Sequence, residues 1–514
     1  MYKRFRRARS VIPYQMVTSI VQNGITFTFD SPTPAAQTVD GEWVVQTPFT
    51  VDVSPGWQNL GTNHNRNGAM LDPGVSNYQG FYQYDSGGLI FAYNASVRAQ
   101  FPLTITNDGQ IHSLVATIGK SVPQAGGAQS FLDDLAILTA VPLIPANVSR
   151  LFRPAYMGTR EWPSWDTVES RLSLLPKLAL PNGASYSSLA ALKMERTWFH
   201  TTRNNYPEPG TSAGSVHPSN NMPTYYHATS TAEALLVCCL DDPAVPNYVK
   251  RLVRWGLDLF GCVNTLRTDM WTGLGGYGSG FKAPIIFAGH MLNRADMTTG
   301  LPSAITGKWS NVVRFFGEDA HTYYSSAYSP ARAMFGQNGA AQGYTEPYFS
   351  NHDFRSPYGL QEPEAPTGYP GFTATAWTTG TSYSAGAFVS SGGKVYKRDA
   401  TPTGGVSGAT APTGTGTSSD GNFSWTFQGN TANNNGAYRK QNLHEVFVRE
   451  MLALWLMGLK STWDSSLTRD GFDSAIWDYV ARYIADEVAS SDAERYGSAF
   501  SKAMWTTYGG SFPA

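Results

Sequence analysis

The chain reads as a multidomain α+β protein: an N-terminal β-sandwich, a domain of paired helices, and a small all-β module inserted into the helical part. Three observations predict this. Alternating apolar and polar residues fill the N-terminal part, a 3.6-residue period takes over from about Ser149, and a Gly/Ser/Thr-rich block with strand-like aromatics interrupts that period between about Thr367 and Thr431. At 514 residues the chain exceeds one ordinary core, so several domains are expected. The expected boundaries are a basic tail over 1–22, the sandwich over 23–147, the helical domain over 148–366 and 432–514, and the module over 367–431.

The tail MYKRFRRARSVIPYQ carries Lys3, Arg4, Arg6, Arg7 and Arg9. No apolar run of secretory length follows, because Val11-Ile12 ends at Pro13. The expectation is therefore no secretory signal and no membrane anchor, since no stretch approaches the ~20 apolar residues of a span. The basic start reads as a disordered tail or as a docking peptide for an assembly.

In the sandwich, Gly24–Asp30 alternates strictly, and Trp43–Thr47 and Phe49–Val53 do so in shorter form. Turn clusters are expected at Ser31-Pro-Thr-Pro34, Asp40-Gly41 and Ser54-Pro-Gly56. In the helical domain, Val249, Leu252, Val253, Gly256, Leu257 and Phe260 form one stripe within Asn247–Cys262. Further helices are expected over Ser230–Leu240, Lys282–Met291, His444–Lys460 and Asp473–Val488. Helix pairs joined by long Gly/Pro/aromatic loops, taken together with a resemblance to proteins that carry an α/α domain, suggest an incomplete α/α-toroid, an architecture in which the loops at one end form a cleft.

Composition excludes several functions. A net charge of −1 with 15% charged residues leaves no basic field for nucleic acid. The three cysteines, Cys238, Cys239 and Cys262, lack the spacing of a disulfide framework or zinc ribbon and read as buried thiols. Metal-binding spacings are missing, and Gly275–Gly280 lacks the Lys-Ser/Thr ending of a phosphate loop, so no metal and no cofactor are expected. The counts of Gly 51, Trp 14 and Tyr 27 suit long loops and aromatic sugar platforms.

The candidate site centres on Trp271–Tyr324, where a glycine-rich loop delivers the chain into an apolar helix and FFGEDAHTYY follows. Proton abstraction from a uronate needs a Tyr or His base and a group that neutralises the carboxylate. Tyr226, His227, His321 and Tyr324 fit the first role, and Lys282 or Arg355 the second. Glycoside hydrolysis instead needs two facing carboxyl groups, for which Glu318 and Asp319 with Glu346 or Asp353 are candidates. His352 shares the second polar-aromatic loop, Glu346–Arg355. A helical GEDAHTYY would put Glu318 and His321 on one face. Glu318 or Asp319 also fits a helix N-cap. His290 reads as a satisfied core histidine.

The order Trp377, Tyr383, Gly386, Val389, Gly393, Tyr396, Trp425, closing on an Asp-Gly-x-x-x-Trp run, resembles the small chitin-binding type of carbohydrate-binding module. Versions with such a Thr/Gly/Pro loop are familiar from bacteriophage tail fibres and tailspikes. That resemblance implies sugar stacking on exposed aromatics, with Trp377, Tyr396 and Trp425 as carry-over candidates and no more than two facing solvent. The run GLGGYGSGFKAPIIFAG with FGED-x-x-TYY resembles secreted bacterial proteins that couple a β-sandwich to an α/α domain, akin to polysaccharide lyases and hydrolases. Those relatives carry His and Arg where this chain has Tyr277 and Phe281, which removes two candidate catalytic groups.

These resemblances imply a virion tail-associated protein that binds, and in one version depolymerises, a bacterial surface polysaccharide. It would act outside the host cell and join other tail proteins through its basic start. The alternatives are a non-catalytic receptor-binding or structural phage protein and a secreted bacterial polysaccharide lyase. Trimers are common among phage fibres, so a homo-oligomer is an expectation by resemblance, since no repeat or coiled-coil pattern is visible.

Overall fold

The computed structural model describes residues 14–59, 65–72, 101–119, 132–186, 223–263, 280–301, 305–306, 313–314, 316, 318, 322–325, 332–335, 374–401, 404–430, 444–466, 475–486 and 495–513. The protein is mixed α+β, as expected.

The N-terminal strands are β1 (Gln15–Gln22), β2 (Ile25–Gln37), β3 (Trp43–Gln46), β4 (Phe49–Ser54), β5 (Gln58–Asn59), β6 (Asn65–Arg66), β7 (Gly68–Leu71), β8 (Leu103–Ile105), β9 (His112–Gly119) and β10 (Leu132–Val141). Eight of them form one sheet in the order β7-β9-β10-β3-β2-β4-β8, with β1 added on β2, while β5 and β6 pair separately. Within it β3 and β10 run parallel, and the other pairs are antiparallel.

Two expectations are corrected here. Ser31-Pro-Thr-Pro34 is not a turn, because β2 runs straight through it. β1 pairs with both halves of β2 and is irregular between Val17 and Ser19, opposite the switch from Thr28 to Thr33. A proline costs no ladder bond at such an irregularity. The sheet also begins at Gln15 rather than after residue 22, so much of the expected tail is strand.

Strand alternation splits β9 and β10 between two cores. Leu114, Ala116, Ala136, Leu138 and Ala140 pack with Phe27, Phe29, Val45 and Val51 inside the sheet domain. Val115, Leu135 and Ile137 point the other way and join the helices. Each fully buried Val, Leu or Ile side chain among these contributes roughly 1.5–3 kcal/mol. One sheet thus has apolar residues on both faces.

The helices are α1 (Trp165–Ser170), α2 (Pro223–Val237), α3 (Val245–Cys262), α4 (Lys282–Leu292), α5 (His444–Leu456), α6 (Lys460–Ser465), α7 (Ile476–Asp486) and α8 (Ala499–Tyr508). The 3.6-residue stripe of α3 is observed, and Gly256 on it faces Pro284 and Ala288 of α4. The opposite face of α3 is buried as well. There Arg254 reaches Glu42 at 2.8 Å and Asp40 at 3.4 Å, while Asp258 pairs with Arg153. Arg153 lies 3.7 Å from Glu42, so the β2–β3 turn and α3 share a buried charge network. Burial pushes the Asp40 carboxyl up; Glu42 beside it adds to this, and Arg254 opposes it. No described helix is long and apolar enough to cross a membrane.

Two short hairpins follow α4: β11 (Ile305–Thr306) with β12 (Val313–Arg314), and β13 (Thr322–Ser325) with β14 (Arg332–Phe335). The inserted module then forms its own sheet from β15 (Thr375–Ala376), β16 (Phe388–Ser391), β17 (Lys394–Arg398), β18 (Thr417–Ser419) and β19 (Ser424–Asn430), in the order β15-β16-β17-β19-β18. Its core holds Tyr383, Val389, Tyr396, Phe423 and Trp425, with Trp377 and Phe427 against them.

Candidate functional site

The segment before α4 is glycine-rich, and Gly280 delivers the chain to the helix with a left-handed φ of +85°. The first N–H groups of α4 therefore need acceptors from elsewhere. Glu318 supplies one: its Oε1 accepts from Phe281 N at 2.7 Å and from Lys282 N at 2.8 Å. A negative side chain there also complements the positive end of the helix dipole. Lys282 is wholly buried, and its Nζ stands 4.1 Å from the centre of the Trp463 ring. That cation–π contact offsets part of the cost of removing the ammonium from water.

A second carboxyl joins this cluster. Glu450, on α5, is 0% exposed, and neither of its oxygens has a hydrogen-bond partner. Burial pushes its carboxyl well above the usual range, the charge of Glu318 pushes it further, and Arg449 opposes both. The neutral form of the Glu450 carboxyl is favoured by this burial. Arg449 itself points elsewhere, donating to Tyr496 O at 2.9 Å and Thr229 O at 3.0 Å. One lysine, one hydrogen-bonded carboxyl group and one buried carboxyl group shifted upward by burial thus gather around the start of α4. Two carboxyls with environments of this contrast are the raw material of general acid–base chemistry. All three members are buried, however, so this arrangement holds charge inside the fold rather than presenting it to a solvent-borne polymer.

The other expected residues divide as follows. Tyr226 and His227 lie in the first turns of α2, and Tyr324 lies in β13, with side chains outside the described residues. Asp319, His321, Glu346, His352, Asp353 and Arg355 fall outside the described residues altogether, as does most of the glycine-rich loop. GEDAHTYY is not helical throughout: Glu318 is helical, but Thr322–Ser325 is a strand paired with Arg332–Phe335. Thr, Tyr and Ser side chains suit a pleated, half-buried surface. The expectation of a satisfied core histidine at His290 is corrected: it is only half-buried at the end of α4, its Nε2 has no hydrogen-bond partner, and burial holds its imidazole below the ordinary value, with Arg171 acting the same way. The three cysteines are free and buried, as expected, and burial raises each thiol.

Comparison with family models, with curated proteins and with solved structures finds no match to this chain.

In the module, Trp425 and Tyr396 are both 0% exposed, so neither offers a ring face to a sugar. They are core residues, and of the three carry-over candidates Trp377 alone is half-exposed. The reason lies in Asp420. Its carboxylate accepts from Phe423 N at 2.7 Å, Asn422 N at 2.8 Å and Trp425 Nε1 at 2.7 Å, and Trp377 Nε1 lies 3.4 Å away. Burial works against ionisation of Asp420, but these donors outweigh it and hold the carboxyl below its ordinary value. Gly421 takes φ +101°, which lets the chain turn back over the carboxylate. The Asp-Gly-x-x-x-Trp run is therefore a structural clasp. The sequence reading missed both Asp420 and Glu450, and for Glu450 the available signal was a charged pair, Arg449-Glu450, flanked by apolar residues on both sides.

Proposed function

We propose that this chain is a virion tail-associated protein that holds a bacterial surface polysaccharide. The observation that supports this reading is the inserted module. Trp377, Tyr383, Val389, Tyr396 and Trp425, the positions that carry its resemblance to a sugar-binding module, assemble into one small core. In this reading the module presents Trp377 and its loops to the glycan, the basic N-terminus engages other tail proteins, and the helical domain is an α/α-toroid scaffold. Binding without cleavage is favoured by the burial of Lys282 and Glu318, which serve α4 itself.

A second reading, depolymerisation, is favoured by one observation: Glu450 is a buried acid without a hydrogen-bond partner beside Glu318. It requires α4 and α5 to open toward a substrate. The test uses the intact chain with purified surface polysaccharide from susceptible bacteria. Retention of polymer with no new reducing ends and no unsaturated-uronate absorbance is the expected result. New reducing ends alone make the protein a hydrolase, both signals make it a lyase, and absence of retention overturns the glycan reading.

A further inference from the structure

A cleft of about 210 Å³ opens between α3, the segment leading to α1 and the turn that follows α4. Its floor is apolar, with Leu257 and Phe260 from the last turns of α3. Gly158 and Gly261 bring the two walls together, since a Cβ on Gly158 would lie 2.6 Å from Gly261 O. The third wall is set by Asn293, whose left-handed φ of +56° ends α4 and turns the chain so that Arg294 N bonds to Gly289 O at 2.8 Å. Arg294 then lies 5.5 Å from the centre of the Phe260 ring and is gripped by Asp296, while Glu161 stands 3.3 Å away. The guanidinium is fixed between two carboxylates whose side chains remain 51% and 60% exposed.

We infer that this cleft is a saccharide subsite that takes a single neutral or amino-bearing sugar ring. The inference rests on the glycan-binding reading and gives it a place. The volume is below the ~300–1,000 Å³ of pockets for drug-sized ligands, which restricts the occupant to one small ring. A sugar ring has an apolar C–H face and a hydroxyl edge, and the cleft pairs an apolar floor with a fixed polar rim. One positive charge against two negative charges leaves the rim net negative, so an amino sugar is favoured and a uronate is repelled. Because Arg294 is already held in place, little side-chain entropy is lost when the ring binds.

The test is saturation-transfer NMR on the full-length protein with methyl glucoside, glucosamine and glucuronate as probes. Transfer to the first two and at least tenfold less to glucuronate is expected. Thr159→Trp, an exposed substitution that fills the cleft, should reduce transfer at least tenfold with an unchanged circular dichroism spectrum. Asp296→Asn should remove the preference for glucosamine over methyl glucoside. Equal transfer in Thr159→Trp, or no transfer from wild type to either expected sugar, overturns the inference. Retention on whole polysaccharide, measured in parallel, judges the glycan-binding reading separately. If wild type retains polymer while the cleft variants behave as wild type, the reading stands and the cleft is not its site.

Discussion

Gly256 of α3 meets Pro284 of α4 so closely that a Cβ at position 256 would lie 2.4 Å from the Pro284 carbonyl oxygen and 2.5 Å from the Ala288 Cβ. The nearest atom is backbone, so no side-chain rotation relieves the clash. Gly256→Ala should therefore destabilise the protein, by about 1–3 kcal/mol or more, despite alanine's better helix propensity. Urea unfolding followed by far-ultraviolet circular dichroism checks this, and an unchanged midpoint would mean that the two helices are free to separate.

Arg153 couples the sheet to the helices through Asp258 and Glu42, and its side chain is 0% exposed. Removing one member of a buried ion pair leaves the other charge without compensation. Arg153→Met should cost roughly 3–5 kcal/mol. The double variant with Asp258→Asn should recover part of that loss, which a thermal-unfolding mutant cycle measures directly.

How far these features could be read from sequence depends on their range. Helix period placed α3 and α4 to within two residues, because their apolar stripes are local. The sequence could not say that the polar face of α3 is also buried, since its partners Glu42 and Asp40 lie in a distant turn. Pro32 and Pro34 read as a turn, yet strand pairing with β1 overrides that local preference. The module's aromatic order was legible, but aromatic type says nothing of orientation, and Tyr396 and Trp425 face inward. Glu318 stands out in the sequence for its chemistry, while its place depends on α4, which presents two N–H groups to it.

Within the module, Trp425 and Trp377 should behave differently. Trp425→Ala empties the centre of a small core and breaks the indole bond to Asp420, a loss of about 3–5 kcal/mol. Local unfolding, read as lost amide protection across β16, β17 and β19, is expected. Trp377→Ala should leave that protection in place and weaken polysaccharide retention. Equal retention by Trp377→Ala and wild type would remove Trp377 from any stacking role.

His112 lies between two acids, with Nδ1 2.6 Å from Asp72 and Nε2 3.0 Å from Asp108. Burial works against its protonation, but the two carboxylates outweigh it and raise its value above 6.5. A histidine raised on folding contributes stability that is fully present below the unfolded value and lost as pH rises through the folded one. Melting temperature should therefore decline from about pH 6 to about pH 8 in wild type and less so in His112→Asn. Parallel declines would place the titration on another group.

Glu450 has the opposite character, because its acid is favoured in the neutral form. Above the unfolded value near 4.5 the unfolded chain releases this proton while the folded chain keeps it, so Glu450 makes stability fall as pH rises until its own raised value is passed. Glu450→Gln should flatten that slope. Glu450→Met should go further and leave the protein as stable or more stable at neutral pH, since an apolar side chain of similar volume avoids the cost of a buried carboxyl group without a hydrogen-bond partner. Urea unfolding of the three proteins across this pH range decides the matter. Should Glu450→Met instead destabilise strongly at every pH, the carboxyl would have to hold a partner of its own, and the depolymerase reading would gain the proton donor it needs.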